Sequence, residues 1–144
     1  MERYLGTWYE VARLDHSFER GLTRVTAHYS LRDDGGIRVV NRGYDPESGK
    51  WREAVGRAYP VGPPDVGRLK VSFFGPFYAG YNVIALDKDD YRYAMVSGPN
   101  RSYLWILARE PVLAPPILKR LLEQAKALGF ATDQLIFVQH GDEP

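Results

Sequence analysis

Turn signals punctuate this 144-residue chain so regularly that few folds can accommodate it. The first extended run goes from Trp8 to Leu14, and the second from Val25 to Leu31. Asp33-Asp34-Gly35-Gly36 follows, a tight hairpin signal because Asp and Gly tolerate positive φ. A third run, Ile37 to Tyr44, ends at Asp45-Pro46-Glu47-Ser48-Gly49. The fourth, Trp51 to Tyr59, stops at Pro60-Val61-Gly62-Pro63-Pro64, and the fifth, Arg68 to Phe74, is broken by Gly75-Pro76. The sixth is Gly80 to Leu86, the seventh Tyr91 to Ser97 and the eighth Ser102 to Arg109. Eight short strands at even spacing point to an antiparallel up-and-down barrel or a sandwich. Pro115-Pro116 then opens one helix, where the missing N–H costs nothing. Its apolar stripe is Ile117, Leu118, Leu121, Leu122, Ala125 and Leu128, and Gly129 ends it. Residues 135–138 read as a short last strand. A small barrel has no room for the helix, so its stripe must pack outside.

The first strand opens on Gly6-Thr7-Trp8-Tyr9-Glu10. Gly6 lets the chain turn sharply into the strand. Trp8 is the largest apolar plug for the end of a narrow barrel. Arg109, at the end of the eighth strand, is suited to seal that end by stacking its guanidinium on the indole.

Size and charge exclude several classes. A chain of this length is one domain, residues 1–144, able to bury about 68–70% of its unfolded surface. Lys+Arg 19 against Asp+Glu 18 leaves no electrostatic footprint for nucleic acid. The chain has no cysteine, so disulfides, thiolate metal sites and lipid attachment to an N-terminal cysteine are excluded for it. No run approaches the ~18 apolar residues of a membrane span, and no signal peptide precedes Gly6. The expectation is a soluble chain, either cytoplasmic or a trimmed mature form.

The chain resembles the lipocalins, and within them the bacterial outer-membrane subgroup related to apolipoprotein D. Gly6-Thr7-Trp8-Tyr9-Glu10 matches the family's first conserved region. Arg109, after Leu104-Trp105-Ile106-Leu107-Ala108, matches the third. Tyr4-Leu5, Asp33-Asp34-Gly35-Gly36, residues 70–77 (KVSFFGPF) and Tyr103-Leu104-Trp105-Ile106-Leu107 are similar to the bacterial subgroup. The second region departs, with Leu86-Asp87-Lys88 where the family has Thr-Asp-Tyr. The resemblance covers essentially the whole chain. It implies an eight-stranded calyx with one helix outside, and transport or storage of small hydrophobic molecules, fatty acids and lysophospholipids in this subgroup. It also implies an outer-membrane or periplasmic address.

Alternation assigns the interior independently. With Trp8 inside, the inward residues of strands two to four are Val25, Ala27, Tyr29, Val39, Asn41, Gly43, Ala54, Gly56 and Ala58. Those of strands five to eight are Leu69, Val71, Phe73, Tyr81, Val83, Ala85, Ala94, Val96, Tyr103, Trp105 and Leu107. So many Gly and Ala leave volume open, and the aromatics give that volume a wall, the profile of a ligand pocket. The interior faces carry no obvious lysine or arginine. A fatty acid is therefore expected tail down, its carboxylate at the mouth near Arg20. The mouth is formed by loops opposite Trp8, at residues 15–22, 44–50, 74–80 and 98–101, with Phe18, Phe77 and Tyr78 gating entry. Such an aromatic rim suits a lid, a membrane-surface contact or a homodimer.

Other chemistry has little to stand on. His16, His28 and His140 are far apart, which leaves no metal set. Asp33-Asp34 and Asp89-Asp90 sit in turns and not as an acid/base pair. Ser97, Ser102 and the histidines form no triad, and no cofactor is called for. The alternatives are a lipocalin-fold enzyme, for which Glu10 is the one candidate acid or base near the floor, a haem carrier, or a filled barrel acting as an interaction module.

Overall fold

The computed structural model describes residues 4–14, 21–61, 68–74, 77–87, 89–98, 101 and 103–138, with the backbone alone for residues 73, 74 and 77–79. Nine strands form one antiparallel sheet. They are β1 (Gly6–Arg13), β2 (Thr23–Leu31), β3 (Ile37–Asp45), β4 (Lys50–Pro60), β5 (Arg68–Phe74), β6 (Phe77–Leu86), β7 (Tyr93–Ser97), β8 (Leu104–Ala108) and β9 (Ile136–Phe137). Each of β1 to β7 pairs with the next, and β8 pairs back with β1, so the sheet closes into an eight-stranded barrel. The barrel reading therefore holds over the sandwich. The extra strand, β9, lies on β1 through Ala12↔Phe137 and Arg13↔Ile136.

The β2–β3 hairpin forms at its Asp-Gly signal. Gly35 has φ 86°, and Arg32 N–H donates to Gly36 O at 2.8 Å. Asp34 accepts from Gly36 N–H at 3.0 Å and from the Tyr59 hydroxyl at 2.7 Å. These two bonds, the backbone one foremost, hold its carboxyl down at about 2. Near the mouth the structure departs from expectation: β6 begins at Phe77 and pairs Phe74↔Phe77, so most of the expected loop over residues 74–80 is strand.

Side chains bury on both faces of the sheet. The inner cluster holds Trp8, Ala27, Tyr29, Ile37, Val39, Ala58, Leu69, Ala94, Val96 and Leu107. The outer cluster holds Val11, Ala12, Met95, Leu104, Ile106 and Ala108 under the helix α1 (Pro115–Ala127), which contributes Leu121 and Ala125. α1 starts on Pro115-Pro116, as the sequence indicates. It ends through Gly129, φ 94°, with Phe130 N–H reaching back to Ala125 O at 3.1 Å. Leu128, expected in the stripe, is instead exposed. Phe130, turned back by the glycine, is the residue that buries there.

Candidate functional site: a calyx closed at one end

One end of the barrel is sealed. The Arg109 guanidinium lies 3.8 Å from the Trp8 ring centroid. Its Nη1 donates to Thr7 O and its Nη2 to Leu5 O, both at 3.0 Å, and its Nε donates to Tyr91 O at 3.2 Å. One planar fork thus fastens the start of β1, the β6–β7 connection and the end of β8. Burial lowers the Arg109 pKa from the ordinary arginine value, and nearby Tyr4 acts weakly the other way. Gly6 turns into β1 with φ 101°, a conformation that a side chain resists. Trp8 itself is fully buried and donates its indole N–H to Tyr4 O at 2.8 Å.

Above the indole three tyrosines meet. The Tyr81 hydroxyl lies 2.6 Å from that of Tyr4 and 2.8 Å from that of Tyr29. The rings of Tyr4 and Trp8 are 4.9 Å apart, and those of Tyr4 and Tyr29 5.4 Å. Burial, reinforced by the charge of Tyr29, pushes the ionisation of Tyr4 and Tyr81 well above the usual phenol range; Tyr4 adds to the rise at Tyr81, while the Tyr81 hydroxyl acts the other way on Tyr4. Tyr4 and Tyr81 are therefore neutral at any physiological pH. Tyr29 and Tyr81 were legible as inward residues. Tyr4 was not, because it precedes the first strand and carries no alternation signal.

Toward the other end the inner face opens. On the β3–β4 pair, Ile37↔Ala58 and Val39↔Gly56 are buried. The next inward pair, Asn41↔Ala54, has Asn41 half-buried and Ala54 exposed. Val71, Tyr81, Val83 and Trp105 pack half-buried on the inner cluster. Tyr103 stacks on Trp105, with 6.1 Å between ring centroids. The structure thus brings Ala27, Tyr29, Val39, Asn41, Ala54, Gly56, Ala58, Leu69, Val71, Tyr81, Val83, Ala94, Val96, Tyr103 and Trp105 onto one inward surface. The side chains of Phe73, Phe77 and Tyr78, and the whole of Phe18 and Arg20, lie outside the described residues.

Three expectations about the interior need correction. Ala85 faces outward, against the helix, because a bulge between Val83 and Ala85 shifts the alternation and sends Leu86 inward. Gly43 does face inward, but it leaves no space. A Cβ there would lie 2.9 Å from Leu22 Cδ1 and 3.2 Å from Val25 Cγ2, so the glycine is what lets Leu22 in. The third correction concerns charge: the interior does hold an arginine. Arg13 is buried at 1% exposure, with its Nη1 3.3 Å from Glu10 Oε1.

Among the described residues no cluster of three or more His, Cys, Asp or Glu is arranged to hold a metal ion. His28 lies exposed on the outside, with Nδ1 2.9 Å from Thr7 Oγ1. No helix among the described residues is long and apolar enough to cross a membrane.

A barrel sealed at one end by a Gly-x-Trp strand and a stacked arginine, with a helix outside, is a lipocalin calyx, and the sequence comparisons agree. A lipocalin-like domain model matches residues 1–140. The chain belongs to the lipocalin family. It is 58% identical over 139 residues to the outer membrane lipoprotein Blc of Vibrio cholerae, covering 96% of this chain and 81% of that protein. To the Escherichia coli K12 protein of the same name it is 57% identical over 138 residues, covering 96% and 77%. Mouse apolipoprotein D is 29% identical, over all of this chain and 78% of its own length. Among solved structures, lobster apocrustacyanin A1 shares the fold with a TM-score of 0.79 at 21% identity, covering 98% of this chain and 79% of that one. As a lipocalin, the chain has a calyx suited to small hydrophobic ligands.

Proposed function

We propose that this lipocalin binds one fatty acid or lysophospholipid in the calyx and carries or stores it without chemical conversion. The observation that carries the reading is the polarity of the inner face along the barrel axis. It is buried and sealed beside Trp8, half-buried at Asn41 and exposed at Ala54. A single acyl chain fits such a blind tube. It enters tail first from the open end and runs along Val39, Gly56, Ala58, Val71, Val83 and Trp105 toward the floor. There the three tyrosine hydroxyls are hydrogen-bonded to one another through Tyr81, which lowers the polarity an apolar tail meets at the floor.

Capture is an equilibrium driven by desolvation of the chain, about 0.8 kcal/mol per buried CH₂. About ten such groups give roughly 8 kcal/mol before association entropy and ligand ordering are subtracted, which points to micromolar affinity. Glu10, the candidate acid or base of the sequence, is engaged by Arg13, an arrangement that favours a binding protein over an enzyme. The likeness to outer membrane lipoproteins supports the same surroundings for this chain, with the aromatic mouth turned to lipid.

Native mass spectrometry of the purified protein, followed by solvent extraction, tests the reading. A co-purifying single-chain lipid, or uptake of added fatty acid at one per barrel, is expected. A protein that takes up no acyl chain at micromolar concentration refutes it.

A further inference from the structure

The Glu10–Arg13 pair is an odd tenant for a cavity that takes hydrophobic molecules. Strand pairing fixes where the two side chains point. In an antiparallel pair, directly opposed residues project from the same face. Glu10 opposes Leu107 and Arg13 opposes Trp105, both inner residues, whereas Ala12 between them opposes Ile106, an outer one. In a regular strand, positions three apart face opposite sides. Here the register of β1 shifts between Glu10 and Ala12, and the extra residue, Val11, turns the strand so that both charges face inward.

Both groups are removed from water, Glu10 at 5% exposure and Arg13 at 1%. Arg13 Nη1 lies 3.3 Å from Glu10 Oε1, and Nη2 donates to Leu22 O at 3.3 Å. Burying an ion pair costs several kcal/mol per ion, and well-packed apolar side chains of the same volume are often as stable or more so. Packing alone therefore does not account for this pair. Its height in the barrel matters. Leu22 leads into β2 at the open end, and Trp105, directly opposite Arg13, is half-buried on the ligand-facing wall. The cation thus sits in the upper half of the calyx, one side chain from the surface an acyl chain would follow.

We propose that Arg13 is the anchor for an anionic head group, carboxylate or phosphate, of the bound amphiphile, and that Glu10 is a positioning residue that holds the guanidinium in the empty barrel. The planar fork of arginine matches both oxyanions, and hydrogen bonds between charged partners are about twice as strong as neutral ones. The proposal rests on the calyx reading above. It moves the head group from the rim, where the sequence put it, to a charged shelf just inside.

Titration of intrinsic tryptophan fluorescence with tetradecanoic acid, tetradecyl phosphate and 1-tetradecanol tests this, since the three share one tail. Wild type is expected to bind one or both anions at least about tenfold more tightly than the alcohol. The two anion arms tell a carboxylate ligand from a phosphate one. Arg13→Gln should bring the anions to within about twofold of the alcohol while leaving the alcohol unchanged, and Arg13→Lys should keep part of the preference. Equal weakening of all three ligands would show a merely structural arginine and overturn the proposal. So would an anion preference that survives Arg13→Gln, or its absence from wild type. If circular dichroism shows Arg13→Gln unfolded, Glu10→Gln decides: the anion-to-alcohol ratio should rise, and an unchanged or lower ratio overturns the anchor. Wild type that binds the alcohol but prefers no anion fails the anchor alone. Wild type that binds none of the three fails the calyx reading, and the anchor with it.

Discussion

β7 and β8 bury both of their faces, and the two faces are built differently. On the outside, Met95, Leu104, Ile106 and Ala108 meet Leu121, Ala125 and Phe130 of the helix and its C-terminal turn. On the inside, Ala94, Val96 and Leu107 share the barrel with three interlinked phenols, a glutamate and an arginine. The outer face is a packing joint, shaped by volume. The inner face gives up volume to small residues and holds polar groups at two heights, the tyrosines at the floor and the ion pair above. The same strands thus answer to stability on one side and to occupancy on the other.

The contrast can be broken or sharpened by substitution. The largest effect is expected where the two demands coincide, at the sealed end. Trp8→Ala should cost about 3–5 kcal/mol in chemical denaturation, because it empties a fully buried site and removes the surface on which Arg109 stacks. Wild-type stability in that variant would sink the account of the seal. Leu121→Ala, at the outer joint, should cost about 3 kcal/mol by the same measurement and leave acyl-chain affinity of the folded protein unchanged.

Tyr81→Phe removes the hydroxyl between Tyr4 and Tyr29 and should cost about 1–2 kcal/mol. It also has a pH signature. Folding raises the pKa of Tyr4 and Tyr81, so the native state keeps protons that the unfolded chain loses above its own value of about 10. Their stabilisation is complete below that pH and falls as pH rises further. The alkaline limb of stability should be shallower in the variant.

Ala54→Trp inverts the pattern: at an exposed inner position it should change stability by less than about 0.5 kcal/mol and yet block fatty-acid uptake. Unaltered uptake by the folded variant would remove Ala54 from the ligand path. The smallest effect is expected outside both cores. Folding lowers the Asp34 pKa to about 2, so its contribution is present above the unfolded value of about 3.9 and fades as pH falls toward 2. Asp34→Asn should flatten the acid limb of the stability curve over that window alone.

Most of the architecture could be read from the sequence because its signals are local. Hairpin glycines, the double proline before α1 and the alternation within each strand all act over a few residues, and the elements they mark are present. The Trp8–Arg109 clasp was legible from position, since each residue sits at one end of the strand array. What escaped was set between strands. Neither bulge has a sequence mark, so plain alternation points Ala85 inward and gives no sign that Arg13 faces the interior. Gly43 reads as empty space until Leu22, distant in sequence, is seen to fill it. Leu128 fits the helical period, yet the chain turns away at Gly129 before that face is covered. Gly75-Pro76 reads as a long break, but pairing with β5 draws residues 77–79 into the sheet.

The way β1 shares its edges has a consequence for assembly. One edge takes β8. The other takes β2 up to Tyr9 and β9 from Ala12 onward. The first strand made is therefore completed only by strands that leave the ribosome after nearly all the rest. Until then its β8 edge, and the other edge beyond Tyr9, stand open, and an open edge recruits any other strand within reach. Loop-closure entropy makes such distant pairings slow to form. The chain thus passes through a curled, unclosed sheet before the barrel shuts, and that is the interval in which a stray strand has most to gain.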